Sequence, residues 1–127
     1  MKKAIIILFM VLAVMGIYYF SNHKIDVNHI THVSTCFYNQ SYELHDKEIE
    51  EIKSIFDGKK LSADNLSCGF SEDVSIILDN KMTLCIAQDT CAIVFYKEEN
   101  KYIMLSESEK TQLYNILKPY GFYFPCI

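Results

Sequence analysis

Cysteines are the residues of this chain best able to do chemistry, and there are five: Cys36, Cys68, Cys85, Cys91 and Cys126. All five follow an apolar N-terminal run of the kind that directs a chain out of the cytoplasm. Cysteines in an oxidising compartment commonly form disulfides. We therefore expect at least one disulfide, and the odd number of cysteines leaves at least one thiol unpaired.

Two cysteines are predicted to pair across a short turn. Cys85 and Cys91 fall near the ends of neighbouring predicted strands, where their Cβ atoms can approach within bridging range. Cys68 and Cys126, in a loop and near the terminus, form the next predicted pair, and Cys36 is then the odd thiol. The alternatives are small buried apolar residues, a catalytic redox pair and a zinc site. The sequence has neither a C-x-x-C motif nor closely paired zinc spacing, which disfavours the last two.

Histidines offer a second possible chemistry, the capture of a metal ion. His29 and His32 form an H-x-x-H pattern, and His23 lies upstream of them. The segment is predicted to be extended, and side chains three residues apart on a strand point to opposite faces. The pattern therefore favours ordinary surface histidines, with metal binding by His23, His29 and His32 as the alternative.

Other side chains do not form a pattern typical of catalysis. The acids fall on helix faces and in turns, and none forms the spaced pair of a glycosidase. The sequence contains no G-x-S-x-G or S-x-x-K nucleophile motif and no glycine-rich phosphate loop. We expect neither an enzyme nor a bound cofactor.

Aromatic residues crowd the C-terminus, where residues 120–127 have the sequence YGFYFPCI. Exposed aromatic side chains would anchor a partner protein. A small domain, however, gains stability from each aromatic side chain that it buries, so packing against the sheet is the favoured interpretation. The candidate partner-binding residues are Tyr120, Phe122, Tyr123 and Phe124.

An apolar run near the N-terminus predicts insertion into a membrane. Lys2 and Lys3 precede residues 4–20, which contain no charged side chain. A helix of this length covers roughly 25 Å at 1.5 Å per residue, close to the thickness of the apolar part of a bilayer. The run ends in three aromatic residues, which suit a membrane interface, and no A-x-A cleavage pattern follows it.

These features favour an uncleaved single-pass anchor, with residues 1–3 in the cytoplasm and the remainder outside. The alternatives are a cleaved signal peptide, which would give a secreted protein, and the buried helix of a soluble protein. With the anchor in place, residues 21–29 form a polar tether and residues 30–127 form one extracytoplasmic domain.

The first half of this domain predicts a strand followed by a helix. Residues 30–38 are rich in β-branched and aromatic residues, which is typical of a strand. Asp46 is the predicted N-cap of an amphipathic helix over residues 47–56.

The second half predicts an antiparallel meander and a last helix. Four short apolar runs are separated by turns, and connections this short make neighbouring strands antiparallel. A capping box from Ser106 to Glu109 begins the helix, and Pro119 ends it. The four predicted strands are residues 74–78, 82–87, 91–96 and 101–105.

The predicted fold is therefore α+β, with the order β-α-β-β-β-β-α and both helices on one face of an antiparallel sheet. This order, the apolar N-terminus and the sequence YIMLS at residues 102–106 resemble the small membrane-anchored or lipid-modified extracytoplasmic domains of Gram-positive bacteria. The resemblance covers most of the chain and implies a location and a fold, without catalytic residues.

The charge of the residues that follow the apolar run argues against nucleic acid as a partner. All twelve basic residues are lysines; two precede the apolar run, which leaves ten against sixteen acids and a formal net charge of −6. Nucleic-acid recognition relies on arginine and on concentrated positive charge, so no nucleic-acid partner is expected. An anionic membrane surface would also repel such a domain unless its lysines cluster.

We therefore expect a membrane-anchored extracytoplasmic module that binds a protein or another envelope component without catalysis. A redox- or metal-handling envelope protein that uses the odd cysteine or the histidines is one alternative. A secreted inhibitor or immunity-type factor is another, and it requires cleavage after the apolar run.

Overall fold

A computed structural model describes residues 1–21, 23–63 and 68–124 of the chain. In these ranges it contains three α-helices, a short 3-10 turn and one seven-stranded sheet. The helices are α1 (Lys2–Ser21), α2 (Asp46–Phe56) and α3 (Glu107–Leu117), and the 3-10 turn is Lys118–Tyr120. The strands are β1 (Val33–Phe37), β2 (Gln40–Glu43), β3 (Leu61–Ser62), β4 (Val74–Leu78), β5 (Met82–Ile86), β6 (Ile93–Tyr96) and β7 (Lys101–Met104).

The apolar run forms α1, which stands apart from the core. The segment Lys2–Tyr19 is long and apolar enough to cross a membrane, and no part of it is buried. A signal sequence near the N-terminus meets the same criteria. The structure therefore agrees with a signal anchor or a signal peptide.

The sheet is antiparallel throughout, with the strand order β2-β1-β4-β5-β6-β7-β3. This arrangement confirms the α+β class and the meander, which is β4 to β7. Two strands were not predicted. All four residues of β2 are exposed, so its sequence lacks the apolar alternation of a half-buried strand, and β3 has only two residues.

One core joins the helices to one face of the sheet. Alternate residues of the central strands point into this core, where they meet the apolar faces of both helices. The fully buried residues include Ile76 and Leu78 of β4, Leu84 of β5, Ile52 and Phe56 of α2, and Leu113 and Leu117 of α3.

The helix termini agree with one sequence prediction and correct another. The Ser106 N–H donates to the Glu109 carboxylate at 2.9 Å and the Glu109 N–H donates to Ser106 Oγ at 3.1 Å, so the predicted capping box is confirmed. The prediction of Asp46 as N-cap is wrong by one residue, because His45 has the extended N-cap conformation. The Glu48 carboxylate accepts the His45 N–H at 2.7 Å and thereby fixes that boundary.

The segment predicted as a polar tether belongs instead to the domain from residue 23 onward. Ile25, Val27 and Ile30 are buried in the core. The Ile25 N–H donates to the Lys59 carbonyl at 2.9 Å, and the Gly58 N–H donates to the Ile25 carbonyl at 3.0 Å. The prediction failed because most residues of this segment are polar. The three apolar side chains among them are nevertheless close enough in sequence for one short extended stretch to bury them all.

We expect the substitution Ile25→Ala to lower the free energy of unfolding by about 2–5 kcal/mol, because it leaves a cavity in the core. Asn28→Ala, on an exposed side chain of the same segment, should change this free energy by less than about 0.5 kcal/mol. Denaturant unfolding of the full chain in detergent, followed by circular dichroism, measures both. Equal stability of the Ile25→Ala variant and the unsubstituted chain would mean that the segment is a free tether.

Candidate functional site

The structure joins Cys68 to Cys91, whose Cα atoms are 6.8 Å apart, and leaves Cys36 and Cys85 as free thiols. A disulfide was predicted and is present, but the predicted partners are wrong. Cys91 does not pair with Cys85, and Cys68 does not pair with Cys126. Cys126 itself lies outside the described residues.

Strand register explains why Cys85 and Cys91 do not meet. Cys85 lies opposite Phe95 in the β5–β6 pair, four residues beyond Cys91. Strand β6 begins only at Ile93, so residues 87–92 form a wider connection than the predicted tight turn. Cys91 therefore lies in this loop, where it reaches Cys68.

The disulfide holds a loop over the second face of the sheet, the face opposite the core. Phe70, two residues after Cys68, packs against Phe95 and Tyr102 with ring centroids 5.7 and 5.9 Å away. Ser75 Oγ donates to the Glu72 carbonyl at 2.8 Å, so the loop also bonds to β4. A disulfide between residues 23 positions apart lowers the conformational entropy of the unfolded chain, which stabilises the folded state by about 3 kcal/mol. We conclude that this bridge is structural.

The two free thiols lie on that second face but are too far apart to react with each other. Cys36 of β1 and Cys85 of β5 lie directly opposite Ser75 of β4, on the two strands that flank β4. Two strand spacings therefore separate them, roughly 9–10 Å, which is too far for a disulfide.

Their environment also suppresses thiolate formation. Burial, with smaller contributions from Glu72 and Glu98, raises the pKa of Cys85 from 9.0 to about 11. Burial and the nearby Asp73 raise the pKa of Cys36. Because the thiolate is the nucleophile, both residues are poor candidates for redox catalysis at neutral pH.

The three candidate histidines do not form a common site. His23 lies near Glu99, with 3.8 Å between its Nε2 and the carboxylate, and it shares a cleft with His29. His32 lines a different cleft, where Asp79 accepts its backbone N–H at 2.8 Å. The H-x-x-H pattern is therefore split between two parts of the surface.

One group of potential metal ligands does come together in the described part of the chain. Cys68, Asp89 and Cys91 place their ligand atoms within 4.8 Å of one another. Both sulfurs are bonded to each other, so neither is available as the thiolate that a metal ion requires. Asp89 accepts the Cys91 N–H at 2.9 Å and so orders the loop beside the bridge.

Two of the aromatic candidates in the C-terminal tail are buried. The ring of Phe122 lies 5.0 Å from that of Phe37, and the ring of Phe124 lies 5.0 Å from that of Tyr114. Tyr123 is 66% exposed and is the candidate that a partner could reach most easily.

A buried lysine secures the same tail. Lys110 Nζ donates to the Ala87 carbonyl at 2.8 Å and lies 5.5 Å from the centre of the Phe124 ring. Burial lowers its pKa, although Asp89 and Glu107 act in the opposite direction. Its ammonium group is satisfied within the protein, so we assign it a structural role.

The two edges of the sheet differ, and sequence reasoning missed this feature because neither edge strand was predicted. At the β3 edge, Lys24 forms a bridge with Lys60, and the Leu61 N–H donates to the His23 carbonyl at 3.1 Å. Residues 23–25 thus cover that edge. At the other edge, no segment of the described chain pairs with the outer side of β2.

Backbone groups of β2 are available to a partner. The Leu44 N–H donates inward to the Val33 carbonyl at 2.9 Å, and donors alternate in direction along an antiparallel strand. Ser41 and Glu43 therefore direct their N–H and C=O groups outward. Both residues have exposed side chains as well.

An aromatic contact connects this edge with a groove between α2 and α3. The ring of Tyr42, which is 47% exposed, lies 6.1 Å from that of Tyr120, whose hydroxyl donates to the Glu48 carboxylate at 2.8 Å. Glu48 lines the groove, which has a volume of about 470 Å³ and also contains Glu51 and Gln112. We call the outward side of β2 together with Tyr42, Tyr120 and this groove the β2 surface.

The Glu48 carboxylate is held in its charged form. Burial raises its pKa, but the hydrogen bonds from the Tyr120 hydroxyl and the His45 N–H outweigh burial, so the pKa lies below its usual value. Burial and the hydrogen bond to Glu48 raise the pKa of Tyr120, which keeps the hydroxyl protonated. Glu48 therefore contributes a fixed negative charge to the groove, which Lys47 also lines.

The chain matches no protein-family model, no curated protein and no solved structure. The resemblance to small anchored domains of Gram-positive bacteria therefore stays an expectation. Any functional assignment has to be argued from the residues of this chain.

We expect Cys85 in the folded, unreduced chain to react with iodoacetamide about a hundredfold more slowly than an ordinary thiol at about pH 8, because its raised pKa reduces the thiolate fraction by that factor. Mass spectrometry of alkylated peptides measures the rate, with the same chain in denaturant as the control. The folded state holds this proton more tightly than the unfolded state, so stability is retained below pH 9.0 and falls as pH rises toward about 11. Equal alkylation rates in the folded and denatured chain would contradict the assignment.

Proposed function

We propose that this chain is a membrane-anchored extracytoplasmic module that binds an extended segment of another envelope protein along the β2 surface. The observation that carries the proposal is the open edge at β2, opposite a β3 edge that the chain covers itself. A bound segment would add a strand to the sheet and bond to the outward backbone groups of Ser41 and Glu43.

An unpaired edge strand can pair with other chains and cause aggregation, so an edge of this kind suggests a function. Natural proteins protect such edges with short strands, charged side chains, proline, bulges or a covering segment. Strand β2 is short and ends in Glu43, but it has neither lysine nor proline. The β3 edge, in contrast, has a covering segment that includes Lys24, paired with Lys60. A covering segment at one edge and not at the other supports a role for β2 in binding.

Side chains next to β2 would select the partner. Alternate side chains of an added strand would face Tyr42 and Tyr120, and aromatic residues contribute strongly to interfaces. Glu43 on one face of β2, and Glu48 and Glu51 in the groove on the other face, contribute negative charge near this edge, and Lys47 also lines the groove. We infer a partner segment that is extended, apolar at alternate positions and basic between them.

Several observations disfavour the redox- and metal-handling alternative. Both free thiols have raised pKa values, and the Cys68–Cys91 sulfurs are bonded to each other. The candidate histidines are divided between two clefts.

Two features support the extracytoplasmic location, the apolar helix α1 and the disulfide. Disulfides persist in oxidising compartments, which favours a position outside the cytoplasm. The secreted alternative requires cleavage, and cleavage would have to precede residue 23 because the residues after it are part of the core. Such cleavage would change where the module acts but would leave the β2 surface intact.

Photo-crosslinking in the intact envelope tests the binding surface. Benzoylphenylalanine at Tyr42, on the β2 surface, should give a discrete adduct with one protein. The same probe at Met104, which is 56% exposed on β7, should not give that adduct. The Glu43→Pro substitution removes one outward N–H without disturbing an inward hydrogen bond, so it should abolish the Tyr42 adduct. Glu43→Ala keeps the N–H and should retain the adduct.

Two results would count against the proposal. One is an adduct of equal yield in the Glu43→Pro and Glu43→Ala variants, which would mean that the strand edge is not used. The other is the same adduct from Tyr42 and Met104, which would indicate non-specific proximity. Circular dichroism of each variant establishes that the fold is retained.

A further inference from the structure

We propose that Lys24, Lys60 and Lys81 form a lysine edge that binds the phosphate headgroups of an anionic lipid surface and holds the domain against the membrane. This inference rests on the anchoring part of the proposed function, namely that α1 stays attached and inserted. It adds a second contact with the bilayer, made by the folded domain itself.

Chain length brings this edge close to the lipid. The candidate membrane span ends at Tyr19, and the His23 carbonyl already accepts the Leu61 N–H within the domain. Four residues extend over at most about 14 Å. The headgroup layer on each side of a bilayer is itself roughly 5–8 Å thick. The edge of the domain near His23 therefore lies within reach of the headgroups.

Two of the three lysines, Lys24 and Lys60, lie at this edge, and Lys81 lies in the β4–β5 turn beside a cleft that Lys24 also lines. Lys24 and Lys60 are partners in an antiparallel bridge, and side chains of directly opposed residues leave the same side of the pair. Lys24 and Lys81 line one cleft of about 290 Å³. None of the three has an ion-pair partner among the described residues.

Opposed like charges destabilise a strand pair, so the pairing of Lys24 with Lys60 has a cost within the domain. A phosphate group placed between two ammonium groups would offset that cost. The arrangement is therefore more favourable beside an anionic surface than in water alone.

Acidic side chains also lie near these lysines, and each of them bonds within the domain. Glu99 lies beside His23 at 3.8 Å, and Asp26 accepts the Asn28 N–H at 3.1 Å. Asp79 accepts backbone N–H groups from the segment that precedes β1. These bonds orient the carboxylates but leave them charged, so the proposal depends on the three exposed lysines, which have no ion-pair partner among the described residues, and not on a net positive charge of this region.

This orientation would also present the β2 surface. The strand order places β3 and β2 at opposite ends of a seven-stranded sheet. Six strand spacings separate them, about 28 Å along the sheet. A domain that rests on Lys24 and Lys60 would thus hold the open β2 edge at the opposite end of the sheet from the lipid.

Paramagnetic broadening in nanodiscs tests the contact with the full chain. Isotope-labelled protein is inserted through α1 into nanodiscs of phosphatidylglycerol that contain a gadolinium-chelating lipid. The amide signals of Asn80 and Lys81, about sixty residues from α1 in sequence, should broaden, whereas those of Ser41 and Glu43 should stay sharp. Nanodiscs of phosphatidylcholine, or high salt, should reduce the broadening.

A triple variant with Lys24→Gln, Lys60→Gln and Lys81→Gln should lose the broadening, because each lysine near an anionic surface shifts docking by about fivefold. The matched control changes Lys47, Lys53 and Lys118 to glutamine, with the same loss of charge elsewhere, and should keep it. Broadening of Asn80 and Lys81 that depends on neither lipid charge nor the triple variant would overturn the proposal. No partner protein is present, so a negative result here is distinct from a negative crosslinking result.

Discussion

The burial of Ile25, Val27 and Ile30 is the constraint on which the rest of this structure depends. These side chains fix the residues just after α1 into the core, so that the folded domain begins at residue 23. The same segment covers the β3 edge and brings Lys24 opposite Lys60. One packing interaction thus closes one edge of the sheet, positions the lysines near the end of the apolar helix and leaves β2 as the open edge.

The reactive side chains discussed above, the bonded cysteines and Lys110, mainly stabilise the domain. The disulfide holds Phe70 and its loop over the second face of the sheet. Cys85 on the same face is buried, and its burial raises its pKa. Lys110 bonds to a carbonyl and lies over Phe124. Because these groups are engaged, we base the proposed function on the outward backbone of β2. The proposed function therefore depends on hydrogen-bonding geometry rather than on a reactive residue.

The sequence predicted the parts of the fold that are encoded locally. Apolar runs separated by turn residues indicated the meander from β4 to β7, and the pair Ser106 and Glu109 indicated the start of α3. Features that depend on tertiary contacts were missed. The partner of Cys91 depends on where the loop of residues 68–73 docks, and β2 has no buried face to give its sequence a period of two. The burial of Ile25 and Val27 likewise depends on contacts with the chain around Gly58.

The central claim is that one edge of the sheet is closed by the chain itself and the other is open, and amide hydrogen exchange of the purified full-length protein tests it most directly. The account predicts slow exchange at Ile25 and Leu61, which donate to carbonyls of other segments, and at Leu44, which donates inward to Val33. It predicts fast exchange at Ser41 and Glu43, which point outward. Slow exchange at Ser41 and Glu43 in the isolated protein, or fast exchange at Ile25 and Leu61, would contradict it.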